Sequence, residues 1–183
     1  MLADINNPTL TIKVKDLKQA SEIMRRFKSH GIRQYAYSVK HYNPITKTYD
    51  TMKIGMSADN SYGYGERLYR QVANLPGWPS MPKSGCGKDI ITVVYDYQLD
   101  TGLIVHKDDC IVEVWNVTNI PQRGLDVKRT AEDAENELLD QYESLYGKLP
   151  IGNPKDTRKI TGKSFVTNSI FDDLFGGDPE ESK

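Results

Sequence analysis

The stretch Gln34-Tyr35-Ala36-Tyr37-Ser38-Val39-Lys40-His41-Tyr42, followed across a polar connection by Met52-Lys53-Ile54-Gly55-Met56-Ser57, decides the fold. In the first run Tyr35, Tyr37 and Val39 share one face, and Ala36, Ser38 and Lys40 the other. In the second, Met52, Ile54 and Met56 form an apolar face opposite Lys53, Gly55 and Ser57. A period of two marks both runs as strands with distinct faces. Asn43-Pro44 breaks the first run, so the pair reads as a hairpin with a long loop. On this reading Tyr37 and Lys53 lie on the exposed face of adjacent strands.

Upstream, Leu10, Ile12 and Val14 alternate as a short strand. Asp16 is expected to cap a helix that buries Leu17, Ala20, Ile23, Met24 and Phe27, stops at Gly31 and exposes Arg25, Arg26 and Lys28. Downstream, a Gly/Tyr loop from Asp59 to Gly65 opens a helix from about Glu66 to Leu75. Its buried stripe is Leu68, Val72 and Leu75, which leaves Arg67, Gln71 and Asn74 as a polar stripe. After a Pro/Gly-rich stretch from Pro76 to Gly87, Ile90–Tyr97 reads as a strand, Asp100-Thr101-Gly102 as a turn, and Leu103–Val105 and Ile111–Val117 as further strands. A last helix runs from a Thr130 N-cap to Gly147 and buries Ala131, Ala134, Leu138, Tyr142 and Leu145. This order predicts an α+β fold, a small mixed or antiparallel sheet flanked by helices. The expected organisation is a strand-helix extension over 1–33, a core domain over 34–153, and a flexible tail over 154–183.

Composition narrows the function. The chain has 183 residues, 38% hydrophobic and 27% charged, which suits one packed domain with appendages. A net charge of −1 excludes a uniformly basic nucleic-acid coat. It hides an uneven distribution: Asp172, Asp173, Asp178, Glu180 and Glu181 stand against Lys183 in residues 169–183, leaving +3 on residues 1–168. Just before that acidic tip, Lys155, Arg158, Lys159 and Lys163 stand against Asp156. No apolar run is long enough to span a membrane, and Met1 to Thr9 has no secretory pattern, so a cytoplasmic protein is expected. Only Cys86 and Cys110 occur, with no CxxC, and the three histidines show no zinc spacing.

Four side chains can carry chemistry together. A phenol (Tyr37) close to an ammonium (Lys53) either ionises more readily or hydrogen-bonds a water. Arg67 can clamp a phosphate oxygen with its planar fork of donors. A single carboxylate on the last helix can hold magnesium, whose other ligands are water and phosphate. On a helical wheel Glu135 lies at the flank of the buried stripe, whereas Glu132 and Glu137 lie further round, so Glu135 is the expected ligand. These parts describe phosphodiester hydrolysis by an activated water with metal-assisted departure of the leaving oxygen.

The arrangement resembles the GIY-YIG endonucleases. Tyr35-Ala36-Tyr37-Ser38-Val39 stands at the first motif and Lys53-Ile54-Gly55 at the second. Glu66-Arg67-Leu68 stands at the helix arginine. Glu135-Asn136-Glu137-Leu138-Leu139, followed by Leu149-Pro150-Ile151-Gly152-Asn153, stands at the metal-binding Glu and its trailing Asn. The resemblance covers roughly residues 34–153. It implies a Mg2+- (or Mn2+-) dependent DNA endonuclease, with Tyr37, Lys53, Arg67 and Glu135 catalytic and Glu135 the metal ligand. Gly55, Gln71 and Asn153 would be supporting residues. Lys53 replaces the second motif's Tyr, and Gln71 stands where a His or Tyr often follows the arginine.

DNA is the expected partner, contacted through Arg25, Arg26, Lys28 and Arg70. Trp78 is either a wedge against bases or a packed loop anchor. In the tail, Ile170, Phe171, Leu174 and Phe175 alternate with acids, and the Asp173-Leu174-Phe175 ending is similar to peptides that dock on sliding clamps, notably in tailed phages. The alternative function is a non-catalytic DNA-binding or phage replication or virion accessory protein, located in the host cytoplasm.

Overall fold

Tyr35–Asn43 and Thr48–Ser57 form the hairpin, β2 and β3, in a computed structural model that describes residues 1–58, 63–79, 88–118, 120 and 127–153. Leu10–Lys13 (β1) and Cys110–Asn116 (β4) complete one antiparallel sheet in the order β1-β4-β2-β3. The helices are Glu22–Ser29 (α1), Glu66–Ala73 (α2), Lys88–Thr101 (α3) and Val127–Tyr146 (α4). The chain is an α+β protein. Its tail residues, including Ile170, Phe171, Leu174 and Phe175, lie outside the described residues.

Both faces of the sheet are covered. On one, Ile23 and Phe27 of α1, Leu68 and Val72 of α2, and Ile90, Val93 and Val94 of α3 pack against Tyr35, Tyr37 and Val39. On the other, Ala131, Ala134, Leu138 and Leu139 of α4 pack against Ala36, Ile54, Met56 and Trp115. Residues 1–33 share this core: Ile12, Ile23 and Phe27 are fully buried in it. The β2–β3 register pairs Tyr35 with Ser57, Tyr37 with Gly55 and Val39 with Lys53. The register shifts between Val39 and Lys40, leaving Met52 without a partner. This bulge turns Met52 into the core beneath α1–α3, away from Ile54 and Met56, with which the alternation had grouped it.

Several sequence expectations are corrected. The hairpin loop is short, because both strands run on to Asn43 and Thr48 and only residues 44–47 join them. Ile90–Tyr97 is helical: its β-branched content suggests a strand, but Ile90, Val93, Val94 and Tyr97 are buried while Ile91 and Tyr95 are exposed, a period of 3.6. No strand forms at Leu103–Val105. Asp16 ends a short 3-10 turn instead of capping α1, which begins at Glu22 after a non-helical Leu17–Ala20. α4 starts at Val127, three residues before the expected cap Thr130, and its far end leaves Leu145 exposed. Gly31 does end α1, at φ +64°.

Candidate active site

The site begins with a close contact on the hairpin. The Tyr37 ring lies over Gly55, where an added Cβ would stand 2.7 Å from both Cζ and the hydroxyl oxygen. Only glycine fits opposite this tyrosine. Tyr37 is buried, not on an exposed face, and its hydroxyl has no hydrogen-bond partner among the described residues. Burial pushes the phenol well above its ordinary range; Arg67 works against this, while Tyr35, Asp89 and Glu135 add to it. The expectation that a nearby lysine favours the phenolate is therefore corrected: the phenol is neutral.

Tyr35 sets the next piece. It stacks on Phe27 at 4.8 Å between ring centres, and burial pushes its phenol up to about 12. Its hydroxyl accepts from the Leu68 N–H at 3.3 Å. Leu68 lies in the first turn of α2, where N–H groups lack helical partners. Gly65 before the helix adopts φ +68°, and a Cβ there would strike the Phe27 ring at 2.7 Å. The aromatic cluster of β2 and α1 thus fixes the start of α2 and places Arg67. That guanidinium is exposed, and Tyr35, Tyr37, Asp89 and Glu135 all feel its charge.

Glu135 reaches the same place from α4. Burial raises its carboxyl to about 7 and Glu132 adds to that, while Arg67 and Lys53 act in the opposite direction. No hydrogen bond reaches this carboxylate among the described residues. Glu137, two positions on, is committed elsewhere: it accepts from the Leu2 and Ala3 N–H groups and ties down the chain start.

Lys53 is not free. Its ammonium is ion-paired with Asp89 in the first turn of α3, and only 13% of its side chain is exposed. Gln71 Nε2 donates to the other Asp89 oxygen at 2.6 Å. Burial alone would raise the Asp89 carboxyl, but the hydrogen bonds from Lys53 and Gln71 and the charges of Lys53 and Arg67 outweigh it and hold the group below its ordinary range. Asn153 is structural: its amide accepts from the Ile54 N–H and donates to the Ile54 carbonyl, both at 3.0 Å. It pins the strap 150–153 to the edge of β3 beside Lys53.

Tyr37, Lys53, Arg67 and Glu135 therefore come from β2, β3, α2 and α4 to one neighbourhood, supported by Gly55, Gln71 and Asn153. Asp89 and Tyr35 belong to it as well. The sequence reading missed Asp89 because it took Ile90–Tyr97 for a strand, which hides that Asp89 opens a helix facing Lys53. Of the basic residues expected to meet DNA, Arg25 and Lys28 are exposed on α1, with Arg25 at 3.6 Å from Glu22, and Arg26 is half-buried. Arg70 is drawn into an ion pair with Glu66 at 2.5 Å. Trp78 is a packed anchor, its Nε1 donating to the Val72 carbonyl at 2.8 Å with Lys107 over its ring. A separate groove of about 850 Å3 follows the edge of β3 past Asp50, Tyr97 and Tyr142; among the site residues it shares only Asn153.

A single carboxylate suits magnesium, which keeps most of its water. The Glu135 carboxylate, with no hydrogen bond among the described residues, is the group that suits such an ion; no cluster of three His, Cys, Asp or Glu ligands occurs among the described residues. No helix among the described residues is long and apolar enough to cross a membrane. In comparisons with known proteins, no family model, no curated protein and no solved structure matches this chain.

Proposed function

We propose that this group of side chains hydrolyses a phosphodiester bond of DNA with one magnesium or manganese ion, in the manner of the GIY-YIG endonucleases that the chain resembles. What supports the reading is that Arg67 and Lys53, from separate elements, both act by charge on the Glu135 carboxyl, and that Arg67 and Glu135 both act on the buried Tyr37 phenol. Arg67, exposed and fixed at the start of α2, grips a non-bridging phosphate oxygen. Lys53 adds a second positive charge against the negative charge that builds up on the phosphoryl group. The Tyr37 hydroxyl is buried and has no partner among the described residues, so the water it would orient for attack on phosphorus is one enclosed with it in the site. A metal ion at Glu135 would supply charge to the departing oxygen. Because Lys53 is engaged by Asp89 and burial keeps Tyr37 a phenol, both act by orientation and charge and not as bases in the resting protein.

The test is nicking of supercoiled plasmid with magnesium, set beside a gel shift on the same DNA. Wild type is expected to nick, with Arg67→Ala and Glu135→Ala each slower by about 100-fold or more. DNA binding by all three proteins with equal, background nicking across several substrates and metals would refute the enzyme.

The second reading is the DNA-binding or phage replication or virion accessory protein. What favours it is the resting geometry, with the Tyr37 hydroxyl buried and Lys53 engaged by Asp89. On either reading the tail segment with Ile170, Phe171, Leu174 and Phe175 is the proposed contact to a sliding clamp in the host cytoplasm. Deleting residues 169–183 should abolish clamp capture; capture that survives the deletion removes the tail from the proposal.

A further inference from the structure

We propose that Asp89 is the positioning residue of this site, holding the Lys53 amine as a fixed cation beside the reacting phosphate. The inference rests on the nuclease reading above and names a residue that the resemblance does not supply. Both Asp89 oxygens are used. One receives the Lys53 ammonium. The other receives Gln71 Nε2 at 2.6 Å and the Ile90 N–H at 3.1 Å. The carboxylate is thereby locked by donors from β3, α2 and the backbone of its own helix.

This explains two departures from the endonuclease pattern with one contact. Lys53 stands where that pattern has a tyrosine, and Gln71 where it often has a histidine or tyrosine. Both replacements turn toward Asp89. A lysine with 13% of its side chain exposed loses hydration that its charge needs, and the Asp89 carboxylate replaces it. The charged groups around Lys53 are Asp89 from α3 and Glu135 from α4, with Arg67 on α2 acting on both of these acids. Among the described residues only Asp89 touches the amine. A long flexible side chain would otherwise sample many rotamers; the Asp89 carboxylate, itself braced by Gln71, holds the amine at the start of α3. Misplacement of such a group by about 1 Å lowers rate by about 100-fold.

The experiment uses the full-length protein and three versions of it: wild type, Asp89→Asn and Asp89→Glu. Brief acylation with an acid anhydride, read by peptide mass spectrometry against the other lysines, reports how far the Asp89 contact shields the Lys53 nitrogen. Steady-state nicking with magnesium over a range of DNA concentrations reports kcat and KM. Lys53 in Asp89→Asn is expected to acylate about tenfold faster than in wild type, with kcat down about 100-fold and KM within about threefold. Asp89→Glu should recover most of both values. Equal acylation of Lys53 in wild type and Asp89→Asn overturns the proposal. Faster acylation with an unchanged nicking rate also overturns it, since the contact would then position nothing. If wild type cuts no DNA while the acylation contrast holds, the nuclease reading fails, and with it the role given to Lys53, although the Asp89 contact stands.

Discussion

At Glu135 burial and two nearby cations act in opposite directions, and burial prevails, leaving the carboxyl near 7 against an ordinary 4.5. Between those values the folded protein keeps a proton that the unfolded chain has released, so stability falls as pH rises through that window. Glu135→Gln should therefore be more stable than wild type above about pH 7, by about 1–3 kcal/mol, with the difference vanishing below pH 4.5. Urea unfolding across that range measures it, and added magnesium should stabilise wild type but not the variant. Metal-dependent nicking should likewise rise with pH through about 7, as the carboxylate ionises. At Gly55 the expected outcome is steric. Gly55→Ala displaces the Tyr37 ring, costing about 1–3 kcal/mol in urea unfolding and most of the nicking rate. Glu135 was legible in the sequence because a helical wheel alone puts it on the flank of the buried stripe. The neutrality of Tyr37 was not, since it follows from helices that cover the sheet face on which the alternation placed it.

The elements around the site hold it by few contacts, and one of them is a strap and not a helix or strand. Asn153 satisfies both backbone groups of Ile54 at the edge of β3, and the Gly152 N–H donates to the Met52 carbonyl at 2.8 Å. Asn153→Ala is expected to cost about 1–3 kcal/mol and to speed amide exchange at Ile54 while leaving β2–β4 pairs protected. Uniform exchange throughout the sheet would show that the strap is not a local clamp. The hairpin was readable because its alternation is strict, and its register then placed Lys53 and Gly55 on the face of Tyr37. The bulge at Met52 was not, since one extra residue in a strand leaves no mark in composition. α3 misled for a related reason: Ile90, Ile91, Val93 and Val94 favour a strand by type, and tertiary burial of Ile90, Val93, Val94 and Tyr97 overrides that preference.

For the molecule as a whole, the first 33 residues are part of the core. β1 extends the sheet beyond β4, and Phe27 stacks on Tyr35, the residue that fixes the start of α2. Protein beginning at Arg33 or Gln34 is expected to lack a cooperative thermal transition, measured by circular dichroism, because Ile12, Ile23 and Phe27 leave unfilled space where they were fully buried. The α+β class was legible from the order of apolar patterns; the strand order β1-β4-β2-β3 was not, because pairing between distant segments has no local signature. Whether the proposed site cuts nucleic acid is tested most directly by the magnesium dependence of the nicking rate for wild type, Arg67→Ala and Glu135→Ala on one plasmid. The account predicts saturable, magnesium-dependent nicking by wild type and a loss of about 100-fold or more in each variant with DNA binding retained. Equal rates in all three proteins, with or without the ion, would contradict it.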